Sequence, residues 1–313
     1  MDRRRLLFHL LLAAFLANAA NKFFIIELDY ELTHGFYERI FQGTGDAPDQ
    51  YRILPLLAIK GVRTAMRWIQ PSAPFNHAVM VVNFFCGFLL FEIFFRLLSH
   101  RPQRERYGFN IGLAVLYIYT LYTGWRPDSL ALLLVCSLVM WLGQWFRGAR
   151  QYAVLTLGIV ALSFCRSDMA AIYAVFLSFT WLSSWPQRIL LVTWPFAIQF
   201  FLQFYLFVDA TYYTKPIMIW DNLSGYYLAR NPASWLLAAL LLLYFEKLWS
   251  YIRHSIRQMP IFYVLLVGYV FLVLFVGRLN EYRLYLPFIP LWMVLDQKLH
   301  SLRNHHLNTN QSQ

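Results

Sequence analysis

Charged residues are scarce in this chain of 313 residues: Asp, Glu, Lys and Arg make up only 14% of it, whereas hydrophobic residues make up 59%. Soluble globular domains contain about 25% charged and about 45–50% apolar residues, so the composition excludes an ordinary soluble domain. The hydrophobic residues come in blocks of about twenty, the length of helix that crosses about 30 Å of hydrocarbon. The sequence therefore predicts an all-α, polytopic integral membrane protein.

Cysteine is also rare, and familiar catalytic motifs are missing. The three cysteines, Cys86, Cys136 and Cys165, lie inside apolar blocks and lack the spacing of a disulfide framework or a metal site. The chain has no glycine-rich phosphate loop, no HExxH and no GxSxG, and its eight histidines are scattered. We therefore predict neither a metal site nor a cofactor.

Positive charge is in excess, with a formal net charge of +11 at pH 7. Nucleic-acid-binding proteins cluster their basic residues on one solvated face. Here the arginines lie in short loops between apolar blocks, as the topogenic charges of membrane proteins do. We predict that the partner of this surface is the lipid bilayer and that no nucleic acid is bound.

Ten hydrophobic blocks are candidate transmembrane helices. Three of them, at 152–165, 169–185 and 284–297, are short, a length that suits helices that end inside a protein-lined cavity or that dip into the membrane without crossing it fully. The ten blocks lie at 6–28, 76–98, 108–124, 128–146, 152–165, 169–185, 188–208, 233–251, 261–279 and 284–297.

The N-terminus has two interpretations. The basic start MDRRR, an apolar run and Ala17-Asn18-Ala19 together mimic a cleaved signal peptide. Hydrophobicity resumes at residues 23–26, however, which gives a segment long enough to span the membrane. In both cases the loop that follows is extracytoplasmic.

The basic residues of the short loops set the orientation. The connections at 99–107, 147–151, 186–188 and 253–260 are all basic, and Glu105 is their single acidic residue. We therefore predict an even number of spans with both termini in the cytoplasm. Residues 1–303 form one transmembrane domain with outside loops at 29–75 and 209–232, and residues 304–313 form a polar cytoplasmic tail.

The first outside loop contains an amphipathic stretch at 51–69. Apolar residues, among them Leu57 and Met66, alternate at helical spacing with Lys60 and Arg67. This pattern predicts a helix lying in the extracytoplasmic interface of the membrane.

Ionisable residues gather at the predicted outside ends of the helices. A charge near the bilayer centre costs about 2.5–3.5 kcal/mol, and less near the interface, so such residues tend to face a cavity and one another. Any pair, such as Arg126 with Asp128 or Arg166 with Asp168, is alternatively a local ion pair or a solvated loop charge. Taken as a set, they predict a shared polar cavity. The set comprises Asp29, Glu31, His34, Glu38, Arg126, Asp128, Arg166, Asp168, Arg278, Glu281 and Arg283.

A cavity with both arginines and carboxylates suits group transfer from a lipid phosphate to an alcohol. The guanidinium presents a planar fork of donors that matches phosphate oxygens. A carboxylate accepts the proton of an attacking hydroxyl. The arginines would neutralise the leaving phosphate, and a carboxylate would activate the acceptor.

Short motifs in these places resemble the GT-C superfamily of membrane glycosyltransferases, which use polyprenyl- or dolichyl-phosphate-linked sugars. LDYE at 28–31 stands just after the first span, where that superfamily places its catalytic carboxylate. YRILP at 51–55 is similar to the YR-x-L-P run of many bacterial members, and FCRSD at 164–168 stands where they often carry an arginine–acid turn. NEYRLYLPFIP at 280–290 looks like the KE-x-RF…P…P signature of lipid-linked mannosyltransferases, with Leu284 in place of Phe.

The resemblance implies an inverting glycosyltransferase in the cytoplasmic (inner) membrane of a bacterium. Its partners would be a polyprenyl-phosphate sugar donor and a glycan or glycolipid acceptor at the extracytoplasmic face. Asp29 would be the general base, with Glu31 as the alternative base. The implied substrate-binding residues are Arg52, Arg166, Asp168, Arg278, Glu281 and Arg283.

Three other functions remain open from the sequence. A multi-pass lipid or polysaccharide transporter is the main alternative, although the chain shows no internal repeat of the kind that transporters often carry. Another lipid-processing enzyme, such as an acyltransferase or a polysaccharide polymerase, would share the outside cavity. A non-catalytic subunit of surface-polysaccharide assembly would not need the outside carboxylates.

Overall fold

The computed structural model describes residues 2–26, 38–39, 42, 53–70, 75–124, 129–207, 243, 245–276 and 284–311. Its regular secondary structure within these ranges is helical, without a strand, so the all-α prediction is confirmed for this part of the chain. The chain divides into two compact units, Met1–Tyr213 and Thr214–Gln313. The predicted single transmembrane domain over 1–303 stays a prediction.

The described helices of the first unit run from the N-terminus to residue 206. They are α1 (Arg3–Ile26), α2 (Ile53–Ile69), α3 (Phe75–Leu97), α4 (Gln103–Gly124), α5 (Ser129–Trp145), α6 (Gly148–Cys165), α7 (Ser167–Trp181) and α8 (Trp185–Phe201), the last extended by a π-helical turn, Leu202–Leu206. Those of the second unit are α9 (Phe245–Gln258), α10 (Pro260–Val276) and α11 (Phe288–Gln311).

Three of the described helices are long and apolar enough to cross a membrane. They are α3, α6 and α8 with its π-helical turn. A fourth span is possible if α9 and α10 are counted together, although the chain bends by 115° between them. These helices fit the membrane prediction, and the number of about ten spans stays a prediction.

The first seven predicted spans coincide with α1 and with α3 to α8. The largest difference is at α4, which begins at Gln103 rather than at residue 108. The carbonyl of Pro102 accepts a hydrogen bond from the Arg106 N–H (3.2 Å), which starts the helix among basic residues. Hydrophobicity does not mark this boundary, because polar residues such as Arg104 are good helix formers.

Residues 253–258 are helical. We expected a connection here after a span at 233–251, but α9 begins at Phe245 and continues through these residues to Gln258. The cytoplasmic location of residues 253–260 stays a prediction. Trp249, Ile252 and Ile256 recur at helical spacing in this segment, a pattern that a search for continuous apolar blocks does not detect. Residues 208–242 lie outside the described part of the chain.

The end of the chain also differs from the prediction. Residues 288–297 of the last expected span, 284–297, belong to α11, which begins at Phe288 and continues to Gln311. Residues 304–311 of the predicted polar tail, 304–313, continue this helix, and the cytoplasmic location of the tail stays a prediction.

Helices α1 and α3 pack closely in antiparallel orientation. Ala13 of α1 lies 3.7 Å from the position that a β-carbon on Gly87 of α3 would occupy. Eight residues further along α1, Asn21 accepts a hydrogen bond from Asn76 Nδ2 (3.3 Å), near the start of α3. Small residues let the two backbones approach each other, as is common between membrane helices.

Helix α2 is the predicted amphipathic helix. Leu56 and Ile59 are buried, whereas Leu57, Trp68 and Ile69 are exposed, as are the basic residues Lys60 and Arg67. It packs against α3 and, less extensively, α6. A helix over this stretch is thus confirmed, and its place in the membrane interface stays a prediction.

Candidate functional site

A single extended residue, Arg166, joins α6 to α7. Its φ and ψ angles are −168° and 107°. Its N–H donates to the Leu162 carbonyl (2.7 Å) at the end of α6, and its carbonyl accepts from the Ala170 N–H (3.0 Å) at the start of α7. The connection is so short that the side chains of residues 166–168 are held by both helices.

The Arg166 guanidinium forms a two-pronged ion pair with Asp168. Nε donates to Oδ1 (2.8 Å) and Nη2 donates to Oδ2 (2.8 Å). The side chains are 15% and 34% exposed, respectively. The local ion pair considered for these residues is therefore confirmed, and it is enclosed but open on one side. Their role in substrate binding stays a prediction.

Fully buried polar side chains lie close to this pair. The Tyr173 hydroxyl, on α7, is hydrogen-bonded to the Cys136 thiol, on α5. Neither residue is exposed to solvent. This contact joins α5 to α7 within two turns of Asp168.

The packing of α5 and α6 fixes the depth of Arg166. Leu130, in the first turn of α5, lies 3.7 Å from the β-carbon position of Gly87. The helices run antiparallel, and a β-carbon on Gly158 of α6 would meet Val139 of α5. Leu130 comes nine residues before Val139, and Arg166 comes eight residues after Gly158, so Arg166 and Leu130 are at nearly the same level.

The level of Arg166 and Leu130 is far from the start of α3. Gly87 is the twelfth residue after Phe75, the first residue of α3, which corresponds to about 18 Å at about 1.5 Å per residue. The charged connection between α6 and α7 therefore lies about half-way along the neighbouring long apolar helix. We call the region around Arg166 and Asp168 the α6–α7 recess. The prediction that the short blocks at 152–165 and 169–185 stop inside a protein-lined cavity stays a prediction, because α6 is also long and apolar enough to cross a membrane.

The start of α2 and the end of α8 adjoin the end of α6. Ile198 and Leu202 form a small buried cluster. Ile53, the first residue of α2, packs against this cluster together with Phe164, which lies two residues before Arg166, and Phe207, which follows the π-helical turn. Three segments that the sequence assigns to the outside therefore meet at one place in the first unit.

A second ion pair holds the middle of α2. Arg63 donates from Nη1 to Glu38 Oε1 (2.6 Å), and its guanidinium lies 5.6 Å from the ring centroid of Phe75. Glu38 was among the predicted outside charges, but it was given no role in the site. Its contact with Arg63 connects residue 38 to α2, beside the start of α3.

The other predicted site residues lie outside the described residues. The structure therefore neither brings them to the α6–α7 recess nor separates them from it, and their roles stay predictions. They are the catalytic candidates Asp29 and Glu31 and the substrate-binding candidates Arg52, Arg278, Glu281 and Arg283.

The sequence analysis missed a polar network among α1, α3 and α4. Glu92 Oε1 accepts from Arg5 Nη2 (3.1 Å) and from Arg96 Nε (2.9 Å), and its Oε2 contacts His9 Nδ1 (3.2 Å). The Nδ2 of Asn110 then lies 3.2 Å from His9 Nε2. Glu92 and His9 are single ionisable residues in apolar blocks, and that isolation is the signal that would have identified them.

This network lies at the other end of the first unit from the start of α3. Glu92 is in the last two turns of α3, and Arg5 is in the first turn of α1. It faces the basic connection 99–102, where Arg106 donates to the carbonyls of Ser99 and Arg101. The charges hold helix ends together and are distinct from the α6–α7 recess.

No group of three or more His, Cys, Asp or Glu side chains suited to a metal ion occurs among the residues that the structure describes. The chain matches no protein-family model, and searches of curated proteins and of solved structures find no significant match either.

Proposed function

We propose that this protein is an inverting glycosyltransferase of the bacterial cytoplasmic membrane. It would move a sugar from a polyprenyl-phosphate donor to a hydroxyl of a glycan or glycolipid acceptor at the extracytoplasmic face. The proposal includes about ten transmembrane helices, with both termini in the cytoplasm. The resemblance of the four short motifs supports the chemistry, and the apolar helices support the membrane setting.

The observation that carries the proposal is the position of the Arg166–Asp168 pair. Charges at such depth along apolar helices are unfavourable, and those that occur commonly mark a functional pathway or site. The pair is also partly exposed, so a ligand can approach it from the open side of the α6–α7 recess. Asp168 fixes the orientation of a guanidinium, the group best suited to a phosphate.

The reaction follows from these roles. The acceptor oxygen attacks the anomeric carbon from the side opposite the phosphate, and the bond between that carbon and the phosphate oxygen breaks. Asp29, or alternatively Glu31, takes the acceptor's proton. The electron pair leaves with the polyprenyl phosphate, whose charge Arg166, Arg52, Arg278 and Arg283 would stabilise. Glu281 would orient an arginine or a sugar hydroxyl.

The contacts of α2 suggest a route for the lipid. Its first residue, Ile53, adjoins Phe164 near the recess, and its exposed apolar residues extend to Ile69. An amphipathic helix in this place offers an apolar surface to a polyprenyl chain while the charged headgroup reaches Arg166. Arg52 comes immediately before Ile53 in the sequence, which is why it is retained among the donor-binding candidates.

The test is release of polyprenyl phosphate from a panel of polyprenyl-phosphate sugars by the full chain in detergent. Asp29→Asn removes the base while keeping its shape, so general-base catalysis predicts a loss of about 10²- to 10⁴-fold. Asp2→Asn serves as the control, because Asp2 is an exposed acid at the other end of α1, and it should release lipid phosphate at the wild-type rate.

Other outcomes identify the alternatives. Equal release by wild type and Asp29→Asn, with loss in Glu31→Gln, would move the base to Glu31. Equal release by both single variants would exclude this general-base assignment. The absence of release by folded wild-type protein would contradict the enzyme proposal, and movement of the same lipids between the leaflets of a vesicle would then establish the transporter.

A further inference from the structure

Helix α9 is amphipathic and lies at a steep angle to the apolar helix that follows it. Only Met259 separates α9 from α10, and the axes change direction by 115° there. Pro260, the first residue of α10, lacks the N–H that would continue α9. None of the seventeen residues of α10 is charged. An α10 helix that crosses the bilayer therefore leaves α9 close to the plane of the membrane surface.

The two sides of α9 differ in chemistry. Trp249, Ile252 and Ile256 share one side because they are spaced by three and four residues. Trp249 is 48% exposed and Ile256 is 41% exposed, so this apolar side is not covered by the second unit. The Arg253 guanidinium lies 5.6 Å from the centroid of the Trp249 ring, at the border between the two sides.

The opposite side of α9 is polar and open. A groove of about 530 Å³ runs along it and is lined in the described structure by Glu246, Lys247, Ser250, Tyr251 and His254. His254 is adjacent in sequence to Ser255, which is buried and hydrogen-bonded to the Tyr263 hydroxyl of α10. This bond fixes the rotation of α9 about its own axis, so its apolar side has a defined direction.

We propose that α9 docks on the surface of a bilayer that contains anionic lipids. Trp249, Ile252 and Ile256 enter the boundary between headgroups and acyl chains, where an amphipathic helix with a Trp anchor is stable. Arg253 and Arg257 contact the lipid phosphates. The proposal requires that α10 spans the membrane, and it is independent of the glycosyltransferase activity.

Charge and exposure favour this occupant over the alternatives. Helix α9 carries three basic residues, Lys247, Arg253 and Arg257, and one acidic residue, Glu246. Its net positive charge complements a negative lipid surface. A re-entrant helix would bring all four ionised side chains into hydrocarbon, which is strongly unfavourable. A protein partner would cover the apolar side in place of lipid. Nitroxide labels distinguish these two occupants.

The first test measures the environment of nitroxide labels on the full chain in lipid nanodiscs. Cys86, Cys136 and Cys165 are buried, so labelling of folded protein is directed to introduced cysteines. Ile256→Cys reports on the apolar side, and His254→Cys, two residues earlier and on the opposite side, is its matched control. Val267→Cys, in α10 and 66% exposed, reports whether α10 is in the bilayer.

The proposal predicts that the label at 256 collides with oxygen more than with a water-soluble nickel chelate, and that the label at 254 shows the reverse. Water exposure at both positions would overturn it, and lipid exposure at both would show a re-entrant helix. Protection of position 256 from both reagents would show a protein partner. Water exposure at 267 would refute the membrane placement of α10 and, with it, the docking of α9. Sugar transfer is measured in a different assay, so failure of the docking proposal and failure of the glycosyltransferase proposal are distinguishable.

The second test asks whether docking depends on anionic lipids. The ratio of docked to water-exposed label at Ile256→Cys is measured in nanodiscs with and without phosphatidylglycerol. Arg253→Gln and Arg257→Gln should each lower the ratio of docked to water-exposed label about fivefold, and only where phosphatidylglycerol is present. Glu246→Gln is the control, and should not lower the ratio. An equal ratio in the two lipid compositions for the wild-type chain would refute the role of the arginines.

Discussion

Arg166 and Asp168 pair side by side across the start of α7, so that one carboxylate holds two nitrogens of one guanidinium at 2.8 Å each. The arginine is itself the whole connection between α6 and α7. Its backbone conformation is extended and needs no unusual residue. The contacts of its side chain, and not a demand of the backbone, therefore account for an arginine at this position.

Arg166→Lys tests the value of the guanidinium in the α6–α7 recess. Lysine keeps the positive charge but loses the planar fork that matches a carboxylate or a phosphate. We expect the KM for a polyprenyl-phosphate sugar to rise about tenfold, the equivalent of about 1.4 kcal/mol, with a smaller effect on folding. The measurement is the initial rate of lipid-phosphate release against donor concentration.

Arg150→Lys is the control for this variant, since Arg150 is exposed near the other end of α6. It should leave the KM unchanged. A wild-type KM in Arg166→Lys would remove Arg166 from the donor-binding set and leave the ion pair as a structural contact between two helices.

Glu92→Gln tests the network that joins α1, α3 and α4. The substitution removes the negative charge shared by Arg5 and Arg96, and Glu92 is only 12% exposed. Breaking a fully buried ion pair costs about 3–5 kcal/mol. Because Arg96 is partly exposed, we expect about 2–3 kcal/mol, measured as the free energy of unfolding of the detergent-solubilised chain in a denaturing detergent.

Glu105→Gln is a matched control for Glu92→Gln. Glu105 also faces an arginine, Arg101, at 3.7 Å, but it is exposed and the pair lies within one turn of chain. Exposed pairs contribute about 0.2–1 kcal/mol. Equal destabilisation by the two variants would contradict the importance that burial gives to Glu92.

The sequence predicts helices well where apolar residues are continuous, as in α3, whose 23 residues match the predicted span within a residue. It fails at α9, where the apolar residues are periodic rather than continuous. The depth of Arg166 was also not predictable, because it depends on which residues of α3, α5 and α6 face one another. That register is set by side-chain packing between helices distant in sequence, as at Gly87 and Leu130.

Gly143→Ala tests the close contact between α5 and its neighbours. A β-carbon there would stand 2.9 Å from Leu155 Cδ2 and would also meet the ring of Trp181. Overpacking of this kind costs about 1–3 kcal/mol, which is only partly offset by the gain of about 0.5–1 kcal/mol from the better helix propensity of alanine. Gly112→Ala is the control, because a β-carbon at Gly112 meets no atom within 4 Å.

Gly112→Ala should stabilise the chain by about 0.5–1 kcal/mol through the better helix propensity of alanine. The thermal midpoint should therefore fall below the wild-type value in Gly143→Ala and rise above it in Gly112→Ala. Movement in the same direction would show that α5 and α6 do not pack at Gly143 as described.

The tautomer of His9 follows from the hydrogen bonds around it. Asn110 Nδ2 donates to the Phe91 carbonyl (3.0 Å), an obligatory acceptor, so the amide nitrogen and not the amide oxygen faces that side. The same nitrogen lies 3.2 Å from His9 Nε2, which must therefore accept. The proton of the ring is left on Nδ1, where it is donated to Glu92 Oε2.

We therefore expect a neutral His9 with its proton on Nδ1. The measurement is ¹⁵N solid-state NMR of histidine-labelled protein in bilayers, with His9→Gln used to assign the signal. An Nε2-protonated ring would require Asn110 to turn its oxygen toward both the ring and the Phe91 carbonyl, bringing two acceptors together. Observation of that tautomer would show that Asn110 does not bridge α1 and α3, and that Glu92 holds His9 by a different contact.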